Sequence, residues 1–149
     1  MFIVLSPYSR KLNGIKNNPK NYPWWERVIS EINCSVVQIG RASETRLKGT
    51  CEFLEDLSFK DIENLITKSN LWVSVDNFLP HLANCINSSG VVIWGQSDPS
   101  IFGYSHNKNL LKSRGCLRQD QFAKWTGVEY KEDVFVSPTE VVKVIREVI

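Results

Sequence analysis

Apolar residues along this chain fall into two patterns that take turns. Phe2-Ile3-Val4-Leu5, Ser35-Val36-Val37-Gln38-Ile39, Leu71-Trp72-Val73-Ser74-Val75 and Gly90-Val91-Val92-Ile93-Trp94 are short runs. Runs apolar on both faces suit central parallel strands covered by helices on both sides. Each stops at a polar or turn-prone stretch: Ser6-Pro7-Tyr8-Ser9, Gly40-Arg41-Ala42-Ser43-Glu44, Asp76, and Gly95-Gln96-Ser97-Asp98-Pro99. Cys51-Glu52-Phe53-Leu54 is a shorter strand candidate, and Asn109-Leu110-Leu111 fits a short edge strand.

The second pattern has helical spacing. Pro23 fits the first position of a helix in which Trp25, Val28, Ile29 and Ile32 recur on one face. Ser58, with Asp61 three residues on, opens another; Phe59, Ile62, Leu65 and Ile66 form its apolar face, and Asn70 ends it. A third follows Asp76 almost at once, with Pro80 tolerated in its first turn, and Leu79, Leu82, Ala83 and Ile86 on one side until it closes near Asn87. Ser137-Pro138-Thr139-Glu140 is a capping start for a closing helix that buries Val141, Val144, Ile145 and Val148. From Gly103 to Val136 the pattern weakens, with a helical turn or two predicted over Asp120–Trp125 and an irregular return after Gly127. Strand and helix in alternation predict an α/β fold, a parallel sheet with right-handed crossovers and helices on both faces.

Composition narrows this to one unit. A chain of 149 residues, 42% hydrophobic and 23% charged, is long enough for a real core and too short for two ordinary domains. The expectation is a single Rossmann-like domain over residues 1–149. A net charge of +2 and a pI near 8.3 argue against nonspecific binding to nucleic acid or to a membrane surface. Cys34, Cys51, Cys85 and Cys116 show no C-x-x-C spacing, so neither a zinc site nor a redox pair is expected. Cys34, Cys51 and Cys85 sit in or beside apolar runs and read as free buried thiols, which points to a reducing, cytoplasmic compartment. MFIVLSPYSRK lacks the marks of a targeting signal, and no apolar stretch approaches the roughly 20 residues of a membrane span.

Candidate chemistry gathers at strand ends. In open α/β sheets the carboxyl ends of strands face the ligand crevice, and a helix amino terminus there offers free N–H groups to an anion. Asp76, His81 and Ser97-Asp98-Pro99 are therefore expected to line one crevice, although Asp98-Pro99 also reads as a simple turn. Arg10, Lys11, Lys16 and Lys20 cluster after the first strand, and the exposed lysines there are candidate phosphate contacts; Lys11 or Lys16 taken singly is more simply a solvated loop residue. Glu44 is either an acceptor for a ligand sugar hydroxyl or a surface charge opening a short helix. Trp72 and Trp94 read as core and His106 as surface. Trp24, Phe102 and Tyr104 lie beside loops where they could stack on a base or sugar.

Asp76-Asn77-Phe78-Leu79-Pro80-His81-Leu82-Ala83, with Val91-Val92-Ile93-Trp94-Gly95-Gln96-Ser97-Asp98-Pro99 after it, resembles the carboxy-terminal half of heptosyltransferase-type glycosyltransferases (family 9, GT-B fold). That family carries an aspartate, a hydroxyl or small residue, a glycine, a histidine five places after the aspartate, then an apolar strand and a G-x-[ST]-D-P loop. Ser6-Pro7-Tyr8-Ser9 is similar to its H-P-G-S segment, and Lys20-Asn21-Tyr22-Pro23 to its K-x-W-P. The similarity spans nearly all of this chain and half of the family's protein, the donor half; the acceptor half has no counterpart in these residues.

The resemblance implies that a nucleotide sugar is bound as donor for glycosyl transfer. Lys20 would contact the donor phosphate, Glu44 the ribose or nucleotide, and Asp76 the donor sugar or nearby backbone. The amides from Asn77 to Leu79 would hold the pyrophosphate, with His81 close behind. Ser9, Phe78, Ser97 and Asp98 complete the implied ligand-binding set, and Lys20, Asp76 and His81 are the catalytic candidates. No metal or cofactor beyond the nucleotide-sugar substrate is implied, and a second chain or a homodimer would complete the cleft. Phe78 and Tyr8 stand where the family has glycines, and Asn77 where it has Ser or Thr. The alternatives are a noncatalytic module for a nucleotide or other phosphorylated small molecule, a structural interaction domain, and, on the opening MFIVLSPYS alone, a nucleoside-processing enzyme.

Overall fold

The runs that are apolar on both faces become inner strands, because only a strand with a helix layer on each side can bury every residue. In the computed structural model, which describes residues 1–149, β1 (Phe2–Ser6), β2 (Ser35–Gly40), β4 (Leu71–Val75) and β5 (Val91–Trp94) are almost entirely buried. The weaker candidates β3 (Glu52–Glu55) and β6 (Lys108–Leu111) lie at the two edges. All neighbours pair in parallel, in the order β3-β2-β1-β4-β5-β6. This doubly wound order reverses between β1 and β4, where a crevice must open at the carboxyl ends of the strands. Ser6 pairs with Ser74 at that end of β1 and β4.

Helices α1 (Trp25–Glu31) and α5 (Pro138–Val148) cover one face, and α2 (Phe59–Lys68) and α3 (Leu79–Cys85) the other. The first face holds 19 buried apolar residues and the second 9, so the α1/α5 side carries most of the hydrophobic stabilisation. Ser58 caps α2 by accepting from the Asp61 amide at 3.1 Å, and Ser137 with Glu140 forms a complete capping box on α5. Trp72 and Trp94 are core residues, each 1% exposed. No helix is long and apolar enough to cross a membrane.

Several elements differ from expectation for local reasons. Helix α1 starts at Trp25 rather than Pro23, because Tyr130 Oη donates to Asn21 O and Tyr22 Oη to Val136 O, which holds the chain out of the helix up to Pro23. Asp120–Trp125 forms turns instead of a helix: the Arg118 guanidinium donates to the carbonyls of Gln121, Ala123 and Lys124 that a helix would have used. The loop after β5 folds into a helical turn, α4 (Pro99–Phe102), which Asp98 caps. On α5 the buried set is Val141, Val142 and Ile145, while Val148 is exposed at the fraying end. Cys51 precedes the edge strand and Cys85 ends α3, so both thiols are exposed rather than buried; Cys34 is half-buried.

Candidate functional site

Asn77 builds the crevice floor. Its side-chain amide donates to Ser6 O, Ser6 Oγ and Tyr8 O at 2.9–3.2 Å, tying the ends of β1 and β4 together. Its Oδ1 accepts from the Leu79 amide at 2.9 Å, an Asx turn that starts α3. Of the three amides expected to face a diphosphate, Leu79's is therefore already satisfied, and those of Asn77 and Phe78 have no protein acceptor.

Above that floor lies a cavity of about 840 Å³, within the size range of small-molecule sites. The loop after β1 enters it rigidly. Asn18, 5% exposed, donates to Arg10 O at 2.8 Å and accepts from the Lys20 amide at 2.9 Å, fixing Arg10 and Lys20 relative to each other. Lys20 Nζ is 2.8 Å from Asp76 Oδ2, with both side chains largely buried, so the cation is held at the end of β4. It also lies 5.2 Å from the centre of the Trp125 ring, whose plane the Arg118 guanidinium approaches to 3.6 Å.

The β2 side of the cavity is set by Glu44. Its carboxylate accepts from the Arg41 amide at 3.1 Å, and a Cβ at Gly40 would run into it, so the loop closes tightly only because residue 40 is glycine. Burial raises the Glu44 pKa, against the pull of the Arg41 amide. Leu54, Leu57 and Ile62 make the far wall apolar, together with Phe59 and Phe78, whose rings stack with centres 5.9 Å apart. One cavity thus joins three cations (Arg10, Lys20, Arg41) and three carboxylates (Glu44, Asp56, Asp76) to an apolar, aromatic wall.

Seven of the nine expected ligand-binding residues line this cavity: Ser9, Lys20, Glu44, Asp76, Asn77, Phe78 and His81. His81 stands at its edge, exposed, with Nδ1 2.9 Å from Tyr104 Oη. Ser97 and Asp98 do not line it. Asp98 turns away to cap α4 through the Ser100 amide and to pair with Arg114 at 2.7 Å, which lowers its pKa to about 2. Its loop leaves β5, one strand beyond the switch point, and is held by Arg114 and Gln121. Trp24, Phe102 and Tyr104 also lie outside this cavity, and His106 is exposed. Trp125 was hidden from sequence reasoning because it lies where the apolar period fails. Arg10, Asn18 and Arg41 sit on strand-end loops, which is the only local signal they carry. No cluster of three or more His, Cys, Asp or Glu side chains is placed to hold a metal ion.

No family model and no curated protein sequence matches the chain. Solved structures do. The E. coli heptosyltransferase WaaC with ADP superposes at TM-score 0.66 and 15% identity, over 99% of this chain and 44% of that one. E. coli ADP-heptose lps heptosyltransferase II gives 0.68 and 16%, over 99% and 46%. The dodecameric iron-containing heptosyltransferase TibC, in complex with ADP-D-beta-D-heptose, gives 0.59 and 16%, over 92% and 35%. This chain spans about half the length of the heptosyltransferases it matches, and its six-stranded parallel α/β fold is that of one half of a GT-B heptosyltransferase.

Proposed function

We propose that this chain binds a nucleotide sugar in the switch-point cavity, as the donor half of a glycosyltransferase. The observation that supports it is Lys20, held 2.8 Å from Asp76 in the same cavity as Arg10 and Arg41. A half-buried lysine held beside the end of β4 suits a diphosphate, and the two acceptor-free amides of Asn77 and Phe78 add to it. Glu44 presents its second oxygen to a ribose hydroxyl, and the Phe59–Phe78 wall takes the base by stacking.

Transfer would break the bond between the anomeric carbon and the diphosphate oxygen while an acceptor hydroxyl bonds to that carbon. Lys20 and the amides stabilise the charge that develops on the departing diphosphate. The base that takes the acceptor proton would come from a partner chain or domain.

Thermal unfolding with ADP, UDP, GDP and CDP tests this. At a hundredfold excess over Kd, binding adds about 2.7 kcal/mol, a rise in Tm on the order of 5–10 °C for a chain of this size. Lys20→Ala should abolish the rise. No response to any of the four nucleotides would sink the proposal. A second function, nucleotide binding without transfer, is favoured by one feature: Phe78 puts a ring where close approach of the diphosphate to the backbone would otherwise occur. Tight binding with no donor hydrolysis and no transfer to any acceptor would select it.

A further inference from the structure

A second cavity, of about 400 Å³, lies beside the first and shares Tyr8 with it as a common wall. Tyr22 and Trp25 contribute buried rings whose polar atoms are already satisfied, Tyr22 Oη on Val136 O and Trp25 Nε1 on Pro7 O. The remaining lining has free polar groups. The half-buried Trp24 indole N–H and the Tyr8 hydroxyl bond to no protein atom. Glu26 uses Oε1 on the Lys48 amide and keeps Oε2 free, and Arg27 uses Nε on Glu31 and keeps its terminal nitrogens free. Asn17 is already engaged, accepting from Asn21 Nδ2 through Oδ1 and bonding the Tyr130 hydroxyl.

The chemistry of this set differs from that of the first cavity. Glu26 and Arg27 are its only charged lining residues, opposite in sign, and no lysine stands among them as Lys20 does in the first cavity. Donors (Trp24, Arg27) and an acceptor (Glu26) stand beside aromatic faces in one lining, which matches a neutral ligand that carries hydroxyls on an otherwise apolar ring. The volume accommodates one or two such rings. We propose that this cavity is a saccharide-binding subsite, with Trp24 as the stacking platform and Glu26 and Arg27 as the hydroxyl partners. Its position across Tyr8 places that saccharide next to whatever fills the first cavity. The Tyr8 phenol lies near a carboxylate of each cavity's lining, and its pKa is raised by burial and then by Glu44 and Glu26.

Saturation-transfer NMR on the full chain with glucose, galactose and maltose, each at about 10 mM to reach millimolar affinities, is the test. Transfer to sugar ring protons is expected, with affinity about five- to tenfold weaker in Trp24→Ala and weakened in Glu26→Gln, and retained in Trp24→Phe, which keeps a ring. Glu26→Gln preserves an acceptor for the Lys48 amide, so it reads the site even if loss of the Trp24 ring unfolds the protein. Lys20→Ala should leave the sugar signal unchanged, which separates this site from the nucleotide proposal. No transfer to any of the three saccharides overturns the inference. Transfer undiminished in Glu26→Gln, or lost in Lys20→Ala instead, overturns it as well.

Discussion

Phe78 is the residue at which chemistry and packing pull apart. It sits at the amino end of α3 with helical backbone angles (φ −71°), so no strain calls for glycine. It is 37% exposed and stacks only on the still more exposed Phe59. Phe78→Gly should therefore cost little stability while opening the backbone beside the Asn77 and Phe78 amides. Because the ring belongs to the wall proposed to stack on the base, ADP should bind about three- to tenfold weaker in titration calorimetry, on the order of 1 kcal/mol; tighter binding would mark the ring as a shield over the diphosphate site instead. Glu44 and Asp98 carry opposite pH dependences. Asp98 ionises at about 2 when folded against 3.8 otherwise, so its contribution is complete above 3.8 and is lost as pH falls toward 2. Asp98→Asn, still a good cap, should flatten the fall of the urea midpoint between pH 4 and 2. Glu44, with its pKa raised by burial, destabilises the fold as pH rises through its folded value. Glu44→Gln should thus raise Tm at pH 7 and weaken nucleotide binding.

At the scale of elements, the inner strands were legible because a run apolar on both faces has few other ways to be buried. The capping residues Ser58 and Ser137 were legible because their bonds reach only three residues along the chain. What escaped the sequence depends on contacts across it: Arg118 taking the carbonyls that a helix at Asp120 needed, Tyr130 and Val136 anchoring Asn21 and Tyr22, Arg114 reaching back sixteen residues to claim Asp98. The site divided the same way. Asp76 and Asn77 directly follow β4 at the switch point and line the cavity, as does Lys20 on the long loop after β1, whereas Ser97 and Asp98 follow β5, one strand farther along the sheet, and do not. Gly90 shows how tightly β5 is seated: a Cβ there would strike the indole of Trp72, which is 1% exposed and bonded to Ser88. Neither the ring nor the strand has room to yield, so Gly90→Ala should destabilise by about 1–3 kcal/mol, read as a lower urea midpoint at unchanged slope.

Across the whole molecule, the cavity is assembled from segments far apart in the chain: the loops after β1 and β2, the segment from the end of β3 into α2, the start of α3, and the turn-rich segment that carries Trp125. Four of these grow directly from strands and inherit their rigidity. The fifth does not; it is fastened by Arg118, whose guanidinium reaches three carbonyls at 2.8–3.3 Å and stacks on Trp125. Gln121 links the same segment to the sheet by donating to Gln96 O and accepting from the Asp98 amide. Burial lowers the Arg118 pKa, in spite of the nearby carboxylates of Asp120 and Asp76. It therefore gives up hydration to hold the segment, and little else depends on it, because neither apolar core includes residues 118–127. Arg118→Ala should leave global unfolding within about 0.5–1 kcal/mol of the unmodified protein while releasing the segment locally. Hydrogen exchange should accelerate between residues 119 and 127 and stay slow in β1, β4 and β5. With Trp125 no longer held against Lys20, nucleotide affinity should fall several-fold even though Lys20 and Asp76 remain paired. Faster exchange with unchanged affinity would show that Trp125 only borders the cavity; equal loss of protection across the sheet would show that the segment belongs to the cooperative core.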